Sequence, residues 1–90
     1  MTREELERLP ERTELFGGGR GVSVTKGEFT YWSDTSIERD IYNVDAHVLM
    51  KVLNVETLDD FFKVINERFS FDTLEEFLKE NNIHYAAYGF

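Results

Sequence analysis

Val22-Ser23-Val24-Thr25-Lys26-Gly27-Glu28-Phe29-Thr30-Tyr31-Trp32-Ser33 reads as two strands folded back on each other. Val22 and Val24 alternate with Ser23 and Thr25, and Phe29 and Tyr31 alternate with Glu28 and Thr30. This period of two puts one side of each strand into a core. Between the strands, Lys26-Gly27 makes a two-residue turn in which glycine supplies a positive φ. The same alternation sends Trp32 to the face opposite Phe29 and Tyr31. There the N-terminal or a C-terminal helix covers it and packs it into the core, the reading favoured because a two-layer domain needs its rings, or it stands exposed as the kind of aromatic anchor that interfaces favour.

Upstream lies Phe16-Gly17-Gly18-Gly19-Arg20-Gly21, the most flexible point of the chain. Residues 17–21 read as a glycine-rich loop between an N-terminal arm, residues 1–16, and the main body. The arm holds a short helix over Thr2–Leu9, with Thr2 and Glu5 at capping-box spacing and Pro10 as its stop. Downstream, Ser33-Asp34-Thr35-Ser36 reads as a turn, and a third strand is expected around Ile37–Asn43. Tyr42–Leu53 fits either period. Alternate apolar residues suit a strand, whereas Val48, Leu49, Val52 and Leu53 form a helical stripe. Asp45 as a cap and Asn54 as a left-handed terminator favour the helix.

The C-terminal half contains a near-duplicated octet. Glu56-Thr57-Leu58-Asp59-Asp60-Phe61-Phe62-Lys63 returns as Asp72-Thr73-Leu74-Glu75-Glu76-Phe77-Leu78-Lys79. Each copy reads as the start of a capped amphipathic helix, capped by Thr57 in the first and by Asp72 or Thr73 in the second. Asp59–Lys63 and Glu75–Lys79 are spaced as i, i+4 pairs. Ile83–Phe90 then reads as a terminal strand on the sheet edge. The expected architecture is one α+β domain over residues 1–90, a small antiparallel sheet of three to four strands with C-terminal helices packed on one face.

Ninety residues bury only roughly 60–65% of their unfolded surface, so the core is small. Aromatic residues, 14% of the chain, supply much of its bulk. The net charge of −8, from 18 acids and 10 bases, repels nucleic acid and anionic membranes and attracts basic partners. No cysteine is present, so there is no disulfide and no thiolate metal site. No apolar run reaches the ~20 residues needed to span a bilayer. The first residues, Met-Thr-Arg-Glu-Glu, lack the apolar segment of a secretion signal. The expected location is the cytoplasm.

Nothing in the sequence proposes a reaction. The glycine loop precedes a strand rather than a helix and lacks phosphate-loop motifs. His47 and His84 have no ligand spacing, and no nucleophile motif occurs. No catalytic residue, metal or cofactor is expected, and the chain is read as a non-enzyme. A DNA-reading helix would not begin with paired acids where phosphates sit.

What remains is binding. Asp59, Asp60, Glu75, Glu76 and Glu80 lie off the apolar stripes and could present carboxylates to a basic surface. First-turn acids also simply stabilise a helix N-terminus, which explains their local placement without any partner. Arg20 and Trp32 are candidate anchors. In composition, compact, cysteine-free, acidic chains of this size resemble phage-encoded inhibitors of host defence such as anti-CRISPR and anti-restriction proteins; no family motif matches across the chain. That resemblance implies an inhibitor or modulator engaging the basic surface of a nucleic-acid-handling protein, as a nucleic-acid mimic without direct nucleic-acid contact. The competing reading is a structural or oligomerisation domain whose acids only solubilise, compatible with a homo-oligomer. An exposed aromatic patch around Trp32 or Tyr88 with evenly spread charge would favour it.

Overall fold

The hairpin becomes the centre of a five-stranded antiparallel meander in the computed structural model, which describes residues 1–34 and 39–89. Helix α1 (Arg3–Arg8) precedes strands β1 (Arg12–Gly17), β2 (Arg20–Thr25), β3 (Glu28–Asp34) and β4 (Arg39–Asp45). Helices α2 (Ala46–Leu53), α3 (Leu58–Arg68) and α4 (Phe71–Glu80) follow, and β5 (Tyr85–Gly89) returns to pair with β4. The α+β class is as expected, but the sheet has five strands rather than three or four. The helices are also interleaved with the strands, one before the sheet and three inside the β4–β5 connection.

Register explains the layering. Val22 pairs with Tyr31 and Tyr31 with Tyr42, while Val24 pairs with Phe29 and Phe29 with Val44. These six side chains are buried and form one cluster with Leu6 of α1, Leu49 and Met50 of α2, Phe61, Phe62 and Ile65 of α3, and Leu74 and Leu78 of α4. All four helices therefore lie on one face of the sheet. Rings carry much of the packing: Phe29 and Phe61 centroids are 5.0 Å apart, and Phe71 sits 4.6 Å from Tyr42 and 5.3 Å from Tyr31. Each such pair contributes about 0.5–1.5 kcal/mol beyond its buried area. The Tyr42 hydroxyl donates to the Phe71 carbonyl at 3.0 Å, and burial pushes its phenol well above the ordinary range.

The expected arm keeps its helix as α1, but its last five residues, 12–16, belong to strand β1. That strand was hidden because its apolar residues, Leu15 and Phe16, are adjacent rather than alternating, and its other positions are polar or charged, as edge strands often are. Phe16 faces the core edge-on to Tyr31 at 6.1 Å. The expected glycine loop shrinks to a tight turn, with Arg20 and Gly21 already in β2. At Gly19, φ is +79°, a side chain would overlap the Asp34 carbonyl, and its own carbonyl accepts from Asp34 N–H at 2.7 Å. Lys26 and Gly27 both have positive φ, as a type I′ hairpin turn requires. Asp34 belongs to β3 rather than to a turn; Thr35, Ser36, Ile37 and Phe90, also named in the sequence reading, lie outside the described residues.

Residues 46–53 are helical. Asp45 accepts from the His47 and Val48 amides at 3.0 and 3.2 Å, and Asn54 ends the helix at φ 59°. The two octets are not structural equivalents. Thr57 caps α3 as expected, accepting from Asp60 N–H at 3.1 Å. In the second copy neither Asp72 nor Thr73 caps. Ser70 does, accepting from Thr73 N–H at 3.2 Å, while the Thr73 hydroxyl accepts from Ser70 N–H at 2.7 Å. The residue three before Thr57 is Asn54, already used to terminate α2, so the first copy cannot start early in the same way. Ser70→Ala should therefore cost about 1 kcal/mol in denaturant unfolding, whereas Asp72→Ala should stay within about 0.5 kcal/mol.

Candidate functional site

Alternation that buries Tyr31 and Tyr42 turns their neighbours outward, onto a sheet face that no described helix covers. Leu15 pairs with Gly21, Gly21 with Trp32, Trp32 with Ile41, and Ile41 with Tyr88. One transverse row thus crosses all five strands with apolar residues. Leu15 is 76% exposed and Tyr88 51%, two of the most exposed large apolar side chains among the described residues. Trp32 and Ile41 are half-buried. The next row, Thr13, Ser23, Thr30, Asn43 and Ala86, is uncharged, and Thr30 donates to Asn43 at 2.9 Å.

Charges flank these rows. At one end Arg39 forms a two-pronged pair with Asp34, its Nε 2.5 Å and its Nη2 3.1 Å from the two carboxylate oxygens. That pair holds the Asp34 carboxyl below its usual range. At the other end lie Glu28 and Asp45, the latter 2.6 Å from Arg3. An apolar strip inside a polar rim is the anatomy of a protein interface.

Trp32 is held in place by what is missing opposite it. A Cβ on Gly21 would meet the six-membered ring of the indole, 2.6 Å from Cε2, so the ring lies directly over the Gly21 backbone. Gly21 does not have a positive φ, so space alone excludes a side chain there. The indole is thereby fixed across β2, with little conformational freedom left to it.

The residues singled out from sequence do not form one site. Trp32 lies on the open face. Asp59, Asp60, Glu75, Glu76 and Glu80 belong to α3 and α4 on the opposite layer. Asp59 is paired with Arg12 of β1, not with Lys63. Glu75 accepts from the Tyr85 hydroxyl at 3.1 Å and makes no ion pair with Lys79. Burial first, and that carboxylate second, raise the Tyr85 phenol above its ordinary value. Asp60, Glu76 and Glu80 are exposed. Acids also occupy α1 and strands β1, β3 and β4, so the charge is spread over both layers. Arg20 lies on the helix-facing side of β2, donates to the Tyr31 hydroxyl at 3.1 Å and covers the Phe16 ring. Asp45 serves as the α2 cap rather than as a partner for the His47 ring, and His84 is exposed. No group of His, Asp or Glu among the described residues is placed to hold a metal ion.

No family model matches the chain, and no curated protein or solved structure matches it either. The surface itself is the guide to function. Leu15, Gly21 and Ile41 were missed in the sequence because their alignment with Trp32 depends on pairing between distant strands. The detectable local signal was Trp32 out of phase with Phe29 and Tyr31. No described helix is long and apolar enough to cross a membrane.

Two tests follow from this geometry. Gly21→Ala should destabilise the protein by about 1–3 kcal/mol through overlap with the indole. With Trp32→Ala already present, the same change should be neutral or stabilising, because alanine restricts the unfolded chain. Additive melting shifts would contradict the stacking. Burial works to raise the Asp45 carboxyl, but the Arg3 guanidinium and the Val48 and His47 amides outweigh it and hold it below the usual range. Its contribution should be fully present above about pH 4 and lost as pH falls through the lowered value. Asp45→Asn keeps a capping oxygen but cannot titrate. The wild type's advantage over it in thermal melts should vanish in acid, and an advantage constant down to pH 2 would refute the assignment.

Proposed function

We propose that this chain is a non-catalytic protein-binding domain and that the open sheet face is where it binds. The observation that carries this reading is the Leu15–Trp32–Ile41–Tyr88 row, uncovered by any described helix and bordered by paired charges. Its large side chains are pre-positioned: Trp32 is seated on Gly21, and both neighbours in its row are held by strand pairing. Association then orders little that is not already ordered, which is how small interfaces reach useful affinity.

The acidic character adds a preference for basic partners through the long-range field. An inhibitor lying in the basic groove of a nucleic-acid-handling protein is the narrower form of the proposal. It requires Asp59, Asp60, Glu75, Glu76 and Glu80 to act as one surface. Asp59 and Glu75 are instead engaged with Arg12 and Tyr85 of the same domain. The oligomerisation reading is favoured by the same apolar row, with a second copy as the partner.

Capture of a partner from lysate by the immobilised wild type, by Leu15→Asp with Tyr88→Asp, and by an Asp59, Asp60, Glu75 and Glu76 to lysine variant separates the open-face reading from the acidic-groove reading. The open-face variant should lose the partner by at least about 30-fold, the cost of removing hot-spot contacts of ~2 kcal/mol or more. The lysine variant should retain most of it, with moderate sensitivity to salt. Loss of capture only in the lysine variant would transfer the binding site to the helix layer.

A further inference from the structure

We infer that β5 is an acceptor edge for an extended segment of a partner protein in which apolar residues alternate with lysine or arginine. The inference rests on the protein-binding reading but uses the sheet edge rather than its open face. Strand β5 pairs with β4 on one flank and with no described strand on the other. Its outer main-chain N–H and C=O groups are therefore a template for one more strand.

The two edges of this sheet are treated differently. Strand β1 carries Arg12 and Glu14, and its register with β2 breaks between Leu15 and Gly17. Charged side chains and irregularity are standard protection against edge pairing. Strand β5, Tyr85-Ala86-Ala87-Tyr88-Gly89, has no charge and no proline, and it pairs with β4 in regular register from Val44↔Tyr85 to Asp40↔Gly89. Ala86, Ala87 and Tyr88 are exposed.

Each side of β5 specifies a different side chain on an added strand. On the open side, Ala86 and Tyr88 continue the uncharged and apolar rows, so apolar residues of the incoming strand extend them. On the helix side, Ala87 is short and leaves a notch of about 240 Å³. Asp40, Asp72 and Glu75 line this notch beside the rings of Tyr42, Phe71 and Tyr88, and among the described residues no basic one does. An added strand with lysine or arginine opposite Ala87 reaches that notch, where three carboxylates and aromatic faces suit a cation. Period-two alternation delivers both demands from a single strand. A second copy of this chain fits poorly. Its β5 offers no cation, and antiparallel self-pairing sets two acidic notches close together.

The test uses capped synthetic peptides titrated into the full-length protein and followed by amide NMR shifts. Val-Lys-Val-Lys-Val is the probe, Val-Val-Lys-Lys-Val keeps its composition without the alternation, and an N-methylated version of the probe removes donors from one peptide edge. The alternating peptide should shift the Tyr85–Gly89 amides and bind at least about tenfold tighter than either control, and Asp40→Asn with Asp72→Asn should weaken it by a similar factor. Equal binding of the scrambled peptide, shifts centred on Arg12–Gly17, or no binding at millimolar peptide would overturn the inference. So would concentration-dependent shifts of β5 without peptide, which signify self-pairing. If the peptides fail while partner capture still depends on Leu15 and Tyr88, the edge inference falls and the open-face reading stands.

Discussion

Tyr31 and Tyr42 stand side by side in register on the helix-facing side of the sheet, with Phe71 packed against both rings and bonded through its carbonyl to the Tyr42 hydroxyl. The rest of the architecture follows from that cluster. It commits one face of β3 and β4 to the core and pins the N-terminus of α4 over it. It also leaves Trp32, one residue after Tyr31, and Ile41, one residue before Tyr42, no choice but the other side. A chain of this length has enough helix to roof one face of five strands, and all four helices gather there. The bare second face is thus a consequence of how the core is built.

That division bears on how the charge should be read. A net −8 suggests a single acidic surface, yet the carboxylates are distributed over helices and strands and several have internal roles. Asp45 caps α2, Asp34 holds Arg39, Asp59 holds Arg12 and Glu75 accepts from Tyr85. Exposed pairs of this kind contribute little to stability. They do reduce the number of acids free to imitate a phosphate row. The uncharged zone lies on the open face, so in the proposed binding mode apolar complementarity would govern close contact and charge would steer approach.

Much of this was legible locally. The hairpin and its turn, the α1 capping box, the Asp45 cap, the Asn54 terminator and the Thr57 cap depend on residues within a few positions of one another, and those readings agree with the structure. What escaped depends on distance along the chain. Strand β1 exists because β2 offers it a partner, and nothing in Arg12-Thr13-Glu14-Leu15-Phe16 announces it. The second octet looked like a copy of the first, but Ser70 lies outside the repeated unit and starts its helix earlier. Trp32 was correctly set on the far face; its seat on Gly21 and its row with Leu15, Ile41 and Tyr88 required the register of all five strands.

The central claim is that one sheet face is covered and the other bare. Paramagnetic broadening of side-chain NMR signals by a soluble gadolinium chelate reads this directly. The Leu15 and Ile41 methyl signals and the Trp32 and Tyr88 ring signals should broaden strongly, while those of Val22, Phe29, Leu49 and Ile65 stay sharp. Trp32 and Ile41 protected as fully as Leu49 would mean that the second face is covered, and would contradict the account.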